Sequence, residues 1–361
     1  MSHNCRVVSM TPFAFIIHPI DARRDVARKY PIAQYLPVPV IEFALKRMGP
    51  RVLGEISGVH SMTGAETKGW FLGCALTPKL MLELPTEFVY KKILECCELA
   101  AEKGAKLIGL GAFTAVVGDG GETIAKRSPI PVTTGNSYTV ATAIEGTLRA
   151  AEMMGIDCAR AKLAIVGATG SIGRTCALVL ARSFESVIVV GRDAEKSAAI
   201  AAEVGSKARA TTDILAIREC DVIVTVTSSD AEIIQPEHLK SGCVVCDVAR
   251  PRDVSVRVQR ERNDVLVIEG GVVEVPGAVD FGFDFGFPPK TAYACMSETM
   301  ILALEDRAES YTLGKNVSVE QVEEMQRLAA KHGFKLAGFR SFEKALTPER
   351  ITAVRAAVNV A

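Results

Sequence analysis

The stretch LAIVGATGSIG, Leu163 to Gly173, decides the fold of this chain. The apolar run from Leu163 to Val166 predicts a buried strand, and three glycines follow it at GxxGxxG spacing. A helix is predicted next, from Arg174 to Arg182, and then a second apolar strand, from Ser186 to Val190. Strand, glycine loop, helix and second strand in this order are typical of a domain that binds a dinucleotide.

The residues of the glycine loop have expected roles in holding a pyrophosphate. Gly167 permits a tight turn, Gly170 lets the backbone approach the phosphates, and Gly173 lets the helix pack on the strand. The helix N-terminus offers unpaired amides and a partial positive charge. The alternative, a strand–helix turn without a ligand, is disfavoured by the flanking elements. The candidate cofactor-binding residues of the loop are Gly167, Ala168, Thr169, Gly170, Ser171, Ile172 and Gly173.

Arg192 lies where the second strand ends, at the position that selects between NAD and NADP. NAD enzymes usually place Asp or Glu there to bind the ribose hydroxyls, whereas an Arg side chain meets the 2′-phosphate of NADP. The sequence therefore favours NADPH as the cofactor. Asp193 follows directly and keeps the NAD alternative open, and a solvated loop charge is the other interpretation of Arg192.

Three further polar residues are candidate cofactor ligands. Thr227 and Ser228 follow the predicted strand from Asp221 to Val226, where the nicotinamide half would lie, although such residues also form simple turns. Asn136 is expected to cap a helix that ends at Gly155, and it is the third candidate.

The remaining strand pattern predicts an α/β protein. Apolar strands at Asp221–Val226, Cys243–Asp247 and Val265–Ile268 alternate with segments of helix length, which indicates a Rossmann-type, doubly wound parallel sheet. At 361 residues the chain exceeds the usual size of a single domain. We predict an N-terminal α/β substrate or carrier domain over 1–132, an NADPH-binding Rossmann domain over 133–290, and C-terminal helices over 291–361 that carry the candidate nucleophile.

Charge balance and cysteine usage exclude several classes of protein. Lys plus Arg and Asp plus Glu each number 42, so no basic field indicates a nucleic-acid partner. No apolar run approaches the ~18 residues of a membrane-spanning helix, and the stretch from Pro12 to Ile17 is too short for a signal-peptide core. The ten scattered cysteines predict a reduced, cytoplasmic protein. Cys243 and Cys246 have metal-type spacing but no second pair, so no metal site is predicted.

Cys295 is the candidate nucleophile. It lies in AYACMSE, Ala292 to Glu298, early in a predicted helix, where the helix dipole favours a thiolate. From its position alone, however, a core role prevails, because Ala292, Cys295, Thr299 and Leu302 form one helical stripe. His18 and His332 are expected to have surface or capping roles.

Six passages occur in order across most of the chain: LGAFT (Leu110–Thr114), TTGNSYT (Thr133–Thr139), VGATGSIG (Val166–Gly173), EGGVVE (Glu269–Glu274), ACMSETM (Ala294–Met300) and HGF (His332–Phe334). Together they resemble the long-chain acyl-(acyl-carrier-protein) reductases. The resemblance implies a reaction of lipid metabolism, in which NADPH reduces a fatty acyl thioester of acyl carrier protein or coenzyme A to a fatty aldehyde. It implies that Cys295 is the nucleophile and holds the acyl group, with Glu298 and Ser297 as further candidate catalytic residues.

Two other functions stay open. The succession of capped helix, strand, glycine loop and Arg-terminated strand is also similar to shikimate and amino- or hydroxy-acid dehydrogenases, which reduce a ketone or imine without a thiol. The other alternative is an NADPH-binding sensor that turns nothing over. If a carrier protein delivers the substrate, its acidic surface is expected to dock on the predicted helix with Arg23, Arg24, Arg28 and Lys29, which could instead be a solvated face.

Overall fold

The chain folds into two compact units in a computed structural model that describes residues 10–229 and 231–358. Unit 1 comprises the chain up to Gly135, Glu274–Gly314 and Gln326–Lys335. Unit 2 comprises Asn136–Val273, Lys315–Met325 and the chain from Leu336 onward. Within the described residues, no helix is both long enough and apolar enough to cross a membrane.

The helices and strands follow one another in chain order. The elements up to residue 135 are β1 (Phe13–Ile17), α1 (Arg24–Ala27), α2 (Val38–Arg47), β2 (Arg51–His60), β3 (Glu66–Gly73), α3 (Pro78–Glu83), α4 (Thr86–Glu102), β4 (Leu107–Leu110), α5 (Glu122–Arg127) and β5 (Val132–Thr133). The elements from 136 to 269 are α6 (Asn136–Met154), β6 (Lys162–Val166), α7 (Ser171–Leu180), β7 (Ser186–Val190), α8 (Ala194–Val204), β8 (Ala208–Thr211), β9 (Val222–Thr225), β10 (Val244–Asp247), α9 (Val256–Glu261) and β11 (Leu266–Glu269). The remaining elements are β12 (Val272–Glu274), β13 (Gly277–Asp280), β14 (Thr291–Tyr293), α10 (Ala294–Leu304), α11 (Val319–His332), β15 (Lys335–Leu336), β16 (Arg340–Ser341), β17 (Lys344–Ala345) and α12 (Pro348–Val358). Short 3-10 turns occupy Pro31–Tyr35, Ala112–Ala115, Cys158–Arg160, Ile214–Glu219 and Pro236–His238.

Unit 1 is built around a mixed six-stranded sheet in the order β13-β2-β3-β1-β4-β5. β1 is parallel to both β3 and β4, whereas β2 is antiparallel to β3 and to β13. The first four residues of β1 are buried because this strand lies inside the sheet. Helix α10 packs on β1, β3 and β4. Apart from Ser297, Glu298 and Thr299 it is apolar, and it is almost wholly buried, as expected of a helix inside a core.

Unit 2 is a parallel six-stranded sheet in the order β8-β7-β6-β9-β10-β11. Counted from β6 as the first strand, this is the 3-2-1-4-5-6 order of the doubly wound dinucleotide-binding fold. The predicted α/β fold class with a Rossmann-type parallel sheet is therefore confirmed. The order reverses between β6 and β9, and the glycine loop follows β6 at this switch point, where ligands of such sheets bind.

The boundaries within the C-terminal third differ from those expected. Residues 274–290 lie in unit 1 rather than with the Rossmann sheet, because β13 pairs with β2. The segment 291–361 is not a separate helical region, since it also contains four short strands and contributes to both units.

Several predicted elements have different ends. The apolar run Val7–Ile17 predicts one strand; β1 covers Phe13–Ile17 of it, and residues 7–9 lie outside the described residues. The apolar run Leu107–Val117 also predicts one strand, but β4 ends at Leu110 and is followed by the 3-10 turn Ala112–Ala115. The helix expected after Asn136 begins at Asn136 itself, so this residue is not an N-cap outside the helix.

Candidate active site

The first glycine of the loop occupies a backbone conformation that suits glycine alone. Gly167 has φ +86°, and a β-carbon there would stand 2.7 Å from the carbonyl oxygen of Val226 at the end of the neighbouring strand. A side chain would therefore force the loop away from the sheet. The role expected for Gly167, a tight turn directly after β6, matches this geometry.

The other two glycines bring the start of α7 close to the loop. A β-carbon on Gly173 would lie 2.4 Å from the carbonyl oxygen of Gly167, so the helix could not approach if a side chain stood there. Gly170 precedes the first residue of α7, and both Gly170 and Thr169 are exposed. The amides of the first helical turn thus face an accessible loop, which fits an anion such as a pyrophosphate. Asn136 lies beside this loop, with its amide nitrogen 3.4 Å from the hydroxyl of Ser171.

Arg192 and Asp193 follow β7 and have different surroundings. The carboxylate of Asp193 caps α8 by accepting a hydrogen bond from the amide of Lys196 at 3.1 Å, and it also pairs with the Lys196 ammonium at 2.9 Å. Arg192 is exposed and, among residues 10–229 and 231–358, forms no hydrogen bond or salt bridge. The guanidinium is therefore available for a 2′-phosphate, while the carboxylate already has partners.

The Thr227–Ser228 turn is held by a buried carboxylate. Asp253, which is fully buried, accepts hydrogen bonds from the hydroxyls of Thr225 and Thr227, each at 2.5 Å, and from the amide of Thr227 at 2.9 Å. The Thr227 hydroxyl is thus directed into the fold, whereas Ser228 is exposed. Sequence reasoning missed Asp253, because an Asp in a loop usually indicates a turn or a helix cap.

A second missed carboxylate lies at the end of β10. Asp247 is fully buried and accepts hydrogen bonds from the amides of Ala249 at 3.1 Å and Val254 at 3.0 Å. Burial raises the pKa of Asp247 to about 7, against the opposing effect of the Arg250 charge. Asp247 is the last residue of β10 and Asp253 lies in the loop that follows, and their hydrogen bonds fix the shape of that loop and of the turn after β9.

Cys295 is the second residue of α10, and unit 1 packs its backbone tightly. Gly135 has φ +74°, and a β-carbon there would be 2.2 Å from the Cα and 2.3 Å from the Cβ of Cys295. The passages TTGNSYT and ACMSETM, far apart in sequence, therefore meet at these two residues.

The Cys295 thiol is protonated rather than ionised in the free protein. Burial is the main cause that raises the pKa of Cys295 to about 12, and the negative charge of Glu298 raises it further. Hydrogen bonds from the backbone amides of Met296 and Ala112 act in the opposite direction. The start of the helix therefore lowers the pKa of Cys295, as expected, but burial raises this pKa by more. The expectation of a ready-made thiolate is not met.

Glu298 is a fully buried carboxylate one helical turn after Cys295. Thr133 is also fully buried, and its hydroxyl donates to Glu298 Oε1 at 2.5 Å. The hydroxyl of Ser297 instead donates to the carbonyl oxygen of Tyr293 at 3.1 Å, which supports the start of α10. Of the two polar candidates beside Cys295, Glu298 has the chemistry of a proton acceptor, whereas Ser297 has a structural contact.

His18 supports the loop that carries Ala112. Its Nε2 accepts a hydrogen bond from the amide of Phe113 at 3.2 Å, and its Nδ1 lies 3.2 Å from the carbonyl oxygen of Pro19. Burial lowers the pKa of His18 to about 4, so the ring is neutral and can accept at Nε2. This role was not foreseen, because nothing near His18 in sequence indicates its contact with the LGAFT passage.

His332 joins two parts of unit 1. Its Nδ1 lies 2.7 Å from the hydroxyl of Ser61, and its Nε2 contacts the carboxylate of Glu305. The ring is almost completely buried, so His332 has a structural position rather than the expected surface role.

Cys243 and Cys246 are core residues, as their apolar surroundings indicated. Both are fully buried, and burial raises the pKa of each to about 12. Among residues 10–229 and 231–358, no three His, Cys, Asp or Glu side chains are arranged to hold a metal ion.

Comparison with known proteins places this geometry in a class. Residues 149–269 match the family model described as Shikimate / quinate 5-dehydrogenase. The chain is 31% identical over 301 residues to the aminotransferase PigE of Serratia sp., covering 81% of this chain and 35% of that protein. It therefore spans about a third of that relative's length. It is also 28% identical over 330 residues to a long-chain acyl-[acyl-carrier-protein] reductase of Synechococcus elongatus, covering 87% of this chain and 95% of that protein.

A solved structure gives a weaker likeness. The L-tryptophan dehydrogenase of Nostoc punctiforme is 10% identical, with a TM-score of 0.43, and covers 98% of this chain and 90% of that one. The fold class rests on the strand order described above.

The strand order, the glycine loop and the family match define the class: the chain contains a dinucleotide-binding domain of the type found in dehydrogenases. Within that class, the predicted resemblance to the long-chain acyl-(acyl-carrier-protein) reductases is confirmed along most of the chain.

Proposed function

We propose that this protein uses NADPH to reduce a fatty acyl thioester, carried by acyl carrier protein or coenzyme A, to a fatty aldehyde through an acyl group held on Cys295. The observation that carries the proposal is the arrangement around that thiol. Gly135 packs against the backbone of Cys295, and the buried carboxylate of Glu298, which accepts a hydrogen bond from Thr133, follows one turn later. A cysteine that served only as packing would need neither.

The first half of the reaction transfers the acyl group. The sulfur of Cys295 attacks the carbonyl carbon of the thioester, the new carbon–sulfur bond forms, and the carbonyl oxygen becomes an oxyanion. When the carbonyl re-forms, the carrier sulfur leaves. Because the pKa of the resting thiol is about 12, a base must remove its proton during the attack. Glu298 is that base in our proposal, and the proton then passes to the departing carrier thiolate.

The backbone amides at Cys295 stabilise negative charge in this step. In our proposal the amides of Ala112 and Met296, which favour the ionised form of Cys295, also stabilise the oxyanion. Ala112 has φ +46°, an uncommon conformation for a residue with a side chain. Such strain at a reacting group is consistent with a backbone fixed for function.

The second half of the reaction is a hydride transfer. When bound, NADPH would supply a hydride to the carbonyl carbon of the cysteine thioester, which leaves the oxyanion of a hemithioacetal. Collapse of the hemithioacetal breaks the carbon–sulfur bond, releases the aldehyde and returns the sulfur to its thiol form once it regains a proton. The glycine loop would hold the pyrophosphate, and Arg192 would bind the 2′-phosphate, which supports NADPH over NADH. Asn136 and Ser228 are further candidate contacts of the cofactor.

An aromatic row beside α10 supports an apolar acyl substrate. The rings of Phe71, Phe285, Phe287 and Tyr293 follow one another with centroid separations of 5.1, 5.3 and 4.4 Å. Tyr293 caps α10, two residues before Cys295, and the rings of Phe285 and Phe287 are partly exposed. A hydrocarbon chain lying along these rings would place its thioester end near the thiol. A small polar keto acid would gain little from such a surface.

The match to the shikimate dehydrogenase family favours a second candidate, reduction of a ketone or imine without a thiol. That match covers residues 149–269, which lie within unit 2 and supply only cofactor-binding elements. Cys295, Glu298 and Thr133 lie outside it and have no role in such a reaction. A sensor that binds NADPH without turnover likewise leaves them unexplained.

The proposal is tested by incubating the protein with NADPH and long-chain acyl thioesters of acyl carrier protein or coenzyme A. We expect fatty aldehyde, detected by mass spectrometry, in equal amount to the NADPH consumed. If the protein oxidised NADPH with a keto acid but not with an acyl thioester, the thiol-independent reduction of a ketone or imine would be favoured. Cofactor binding without turnover of either substrate type would favour the sensor.

A further inference from the structure

A compact group of apolar side chains on unit 1 points into solvent. Ile32, Tyr35, Val40 and Phe43 expose 67%, 80%, 49% and 58% of their surface. They lie within twelve residues, on the 3-10 turn Pro31–Tyr35 and on α2. We call these four side chains the apolar tip. A cluster of this kind on a globular protein is typical of an interaction surface.

Helix α2 is apolar on two faces, and the fold of unit 1 uses only one of them. Ile41 and Leu45 are buried in the core of the unit. Val40, Phe43 and Arg47, at helical spacing three and four residues apart, lie on the other side and are exposed. A helix that only covered a core would carry polar residues on its outer side. The outer face is therefore suited to a second apolar environment.

The segment that carries the apolar tip has an excess of positive charge. Between residues 22 and 51 the sequence has seven Lys and Arg but two Asp and Glu, although the whole chain carries 42 of each kind. The guanidinium of Arg47 lies over the ring of Phe43, 3.6 Å from its centroid. Any surface that contacts the ring of Phe43 therefore also meets the positive charge of Arg47. The seven basic residues are Arg23, Arg24, Arg28, Lys29, Lys46, Arg47 and Arg51.

We propose that the outer face of α2 and the preceding turn bind the surface of an anionic lipid membrane. Protruding aromatic and aliphatic side chains among Lys and Arg match the apolar boundary and the negative headgroups of such a surface. A second copy of this chain is a poor occupant, because two such faces would bring like charges together.

An acidic carrier protein fits less well. The arginines expected to receive it, Arg24 and Arg28, lie on α1 or directly after it, whereas the exposed aliphatic and aromatic side chains lie on the following turn and on α2. The apolar tip, rather than α1, is therefore the dominant feature of this surface.

The basic segment that precedes the apolar tip contacts the chain next to the aromatic row. The guanidinium of Arg28 lies 3.5 Å from the carbonyl oxygen of Asp284, one residue before Phe285. An apolar product leaving along the row would meet the membrane there. This link rests on the proposed function, whereas membrane binding itself does not depend on it.

The experiment is sedimentation of the 361-residue chain with vesicles of phosphatidylcholine alone or of equal parts phosphatidylcholine and phosphatidylglycerol. We expect binding to the anionic vesicles only, weakened by salt. The double variant Tyr35→Ser/Phe43→Ser should bind at least about tenfold more weakly, because two aromatic side chains no longer enter the interface. Lys46→Gln/Arg47→Gln should also weaken binding. Met62→Ser is the matched control, since Met62 is 76% exposed outside the tip.

Thermal unfolding verifies that each variant is folded. If the double variant is unfolded, vesicle binding is measured with the milder variant Val40→Ser instead. Cys295→Ala should bind vesicles like the parent chain, so failure of the proposed reaction leaves this test intact. The proposal would be overturned if the parent chain did not bind anionic vesicles, or if the folded tip variants bound them as tightly as the parent chain. It would also be overturned if the tip variants lost binding to an acidic acyl carrier protein but kept their binding to vesicles.

Discussion

Gly135 lies directly against the backbone of Cys295, with room for a hydrogen but not for a methyl group. A β-carbon on Gly135 would stand 2.2 Å from Cys295 Cα, far inside van der Waals contact. The residue before α6 thus defines where the thiol of α10 can lie. This contact joins the two passages that carry most of the proposed chemistry.

Gly135→Ala should abolish acyl transfer to Cys295. The added methyl must displace the start of α10, and a shift of about 1 Å can cost on the order of a hundredfold in rate. Gly64→Ala is the matched control, because Gly64 has φ +85° but an added β-carbon would meet nothing within 4 Å. The control shares the backbone strain and should keep its rate. The rate of acyl-enzyme formation measures the effect. An equal loss of this rate in Gly135→Ala and Gly64→Ala would show that backbone strain, rather than the contact with Cys295, causes the loss.

Glu298→Gln should lower the pKa of the Cys295 thiol and at the same time slow aldehyde formation. Removing the charge of Glu298 lowers the pKa of the thiol, so alkylation of Cys295 by iodoacetamide should accelerate at a given pH. Aldehyde formation should nevertheless fall, by about 10²- to 10⁴-fold, if Glu298 is the base. Thr133→Val should lower activity less, since the carboxylate stays while the hydroxyl that donates to Glu298 and accepts from the amide of Gly135 is removed.

Peptide mass spectrometry measures the alkylation at Cys295, and gas chromatography measures the aldehyde. Faster alkylation together with unchanged turnover would remove Glu298 from the mechanism. In the parent protein, alkylation should keep rising with pH up to the highest pH at which the fold is stable, because the pKa of Cys295 is about 12.

Arg192→Ala should weaken the binding of NADPH by about 10- to 100-fold and change the binding of NADH little. Only NADPH has a 2′-phosphate that the guanidinium can bind. Lys196→Ala is the matched control: this neighbouring cation pairs with Asp193 at 2.9 Å and should affect both cofactors alike. Dissociation constants from cofactor fluorescence measure the effect. Equal weakening of NADPH and NADH by Arg192→Ala would argue against NADP selection at this residue.

His18 should make the stability of the protein fall in mild acid. Burial lowers the pKa of His18 to about 4 in the folded state from its ordinary value of 6.5, so the unfolded chain binds more protons between these values. This contribution is fully present above pH 6.5 and is lost as the pH falls toward 4, with a total on the order of 3 kcal/mol. His18→Gln should remove that part of the pH dependence. Urea unfolding at several pH values tests this, and parallel curves for both proteins would contradict it.

The sequence predicted the Rossmann half of the molecule more completely than the site. β6, β7, β9 and β10 are continuous apolar runs beside a glycine loop, and local pattern suffices for them. The assignment of residues 274–314 to unit 1 depends on pairing between β13 and β2, a long-range contact that no local pattern reports.

The same distinction applies to individual site residues. Cys295 was identified by resemblance, since its position alone indicated packing. The contacts of Thr133 with Glu298 and of His18 with Phe113 join residues 165 and 95 positions apart. The raised pKa of Cys295 could not be predicted either, because the helix start favours ionisation, and only the packing of unit 1 shows that burial outweighs it.

Acylation of Cys295 in the absence of NADPH tests the central claim most directly. Incubation with a long-chain acyl thioester, followed by peptide mass spectrometry, should show one acyl group on Cys295, which disappears with release of aldehyde when NADPH is added. Cys295→Ala should lose both adduct and aldehyde but keep its affinity for NADPH, and Cys295→Ser should retain little activity, since a hydroxyl ionises far less readily. Full aldehyde formation by Cys295→Ala, or an adduct found only on another cysteine, would contradict the account.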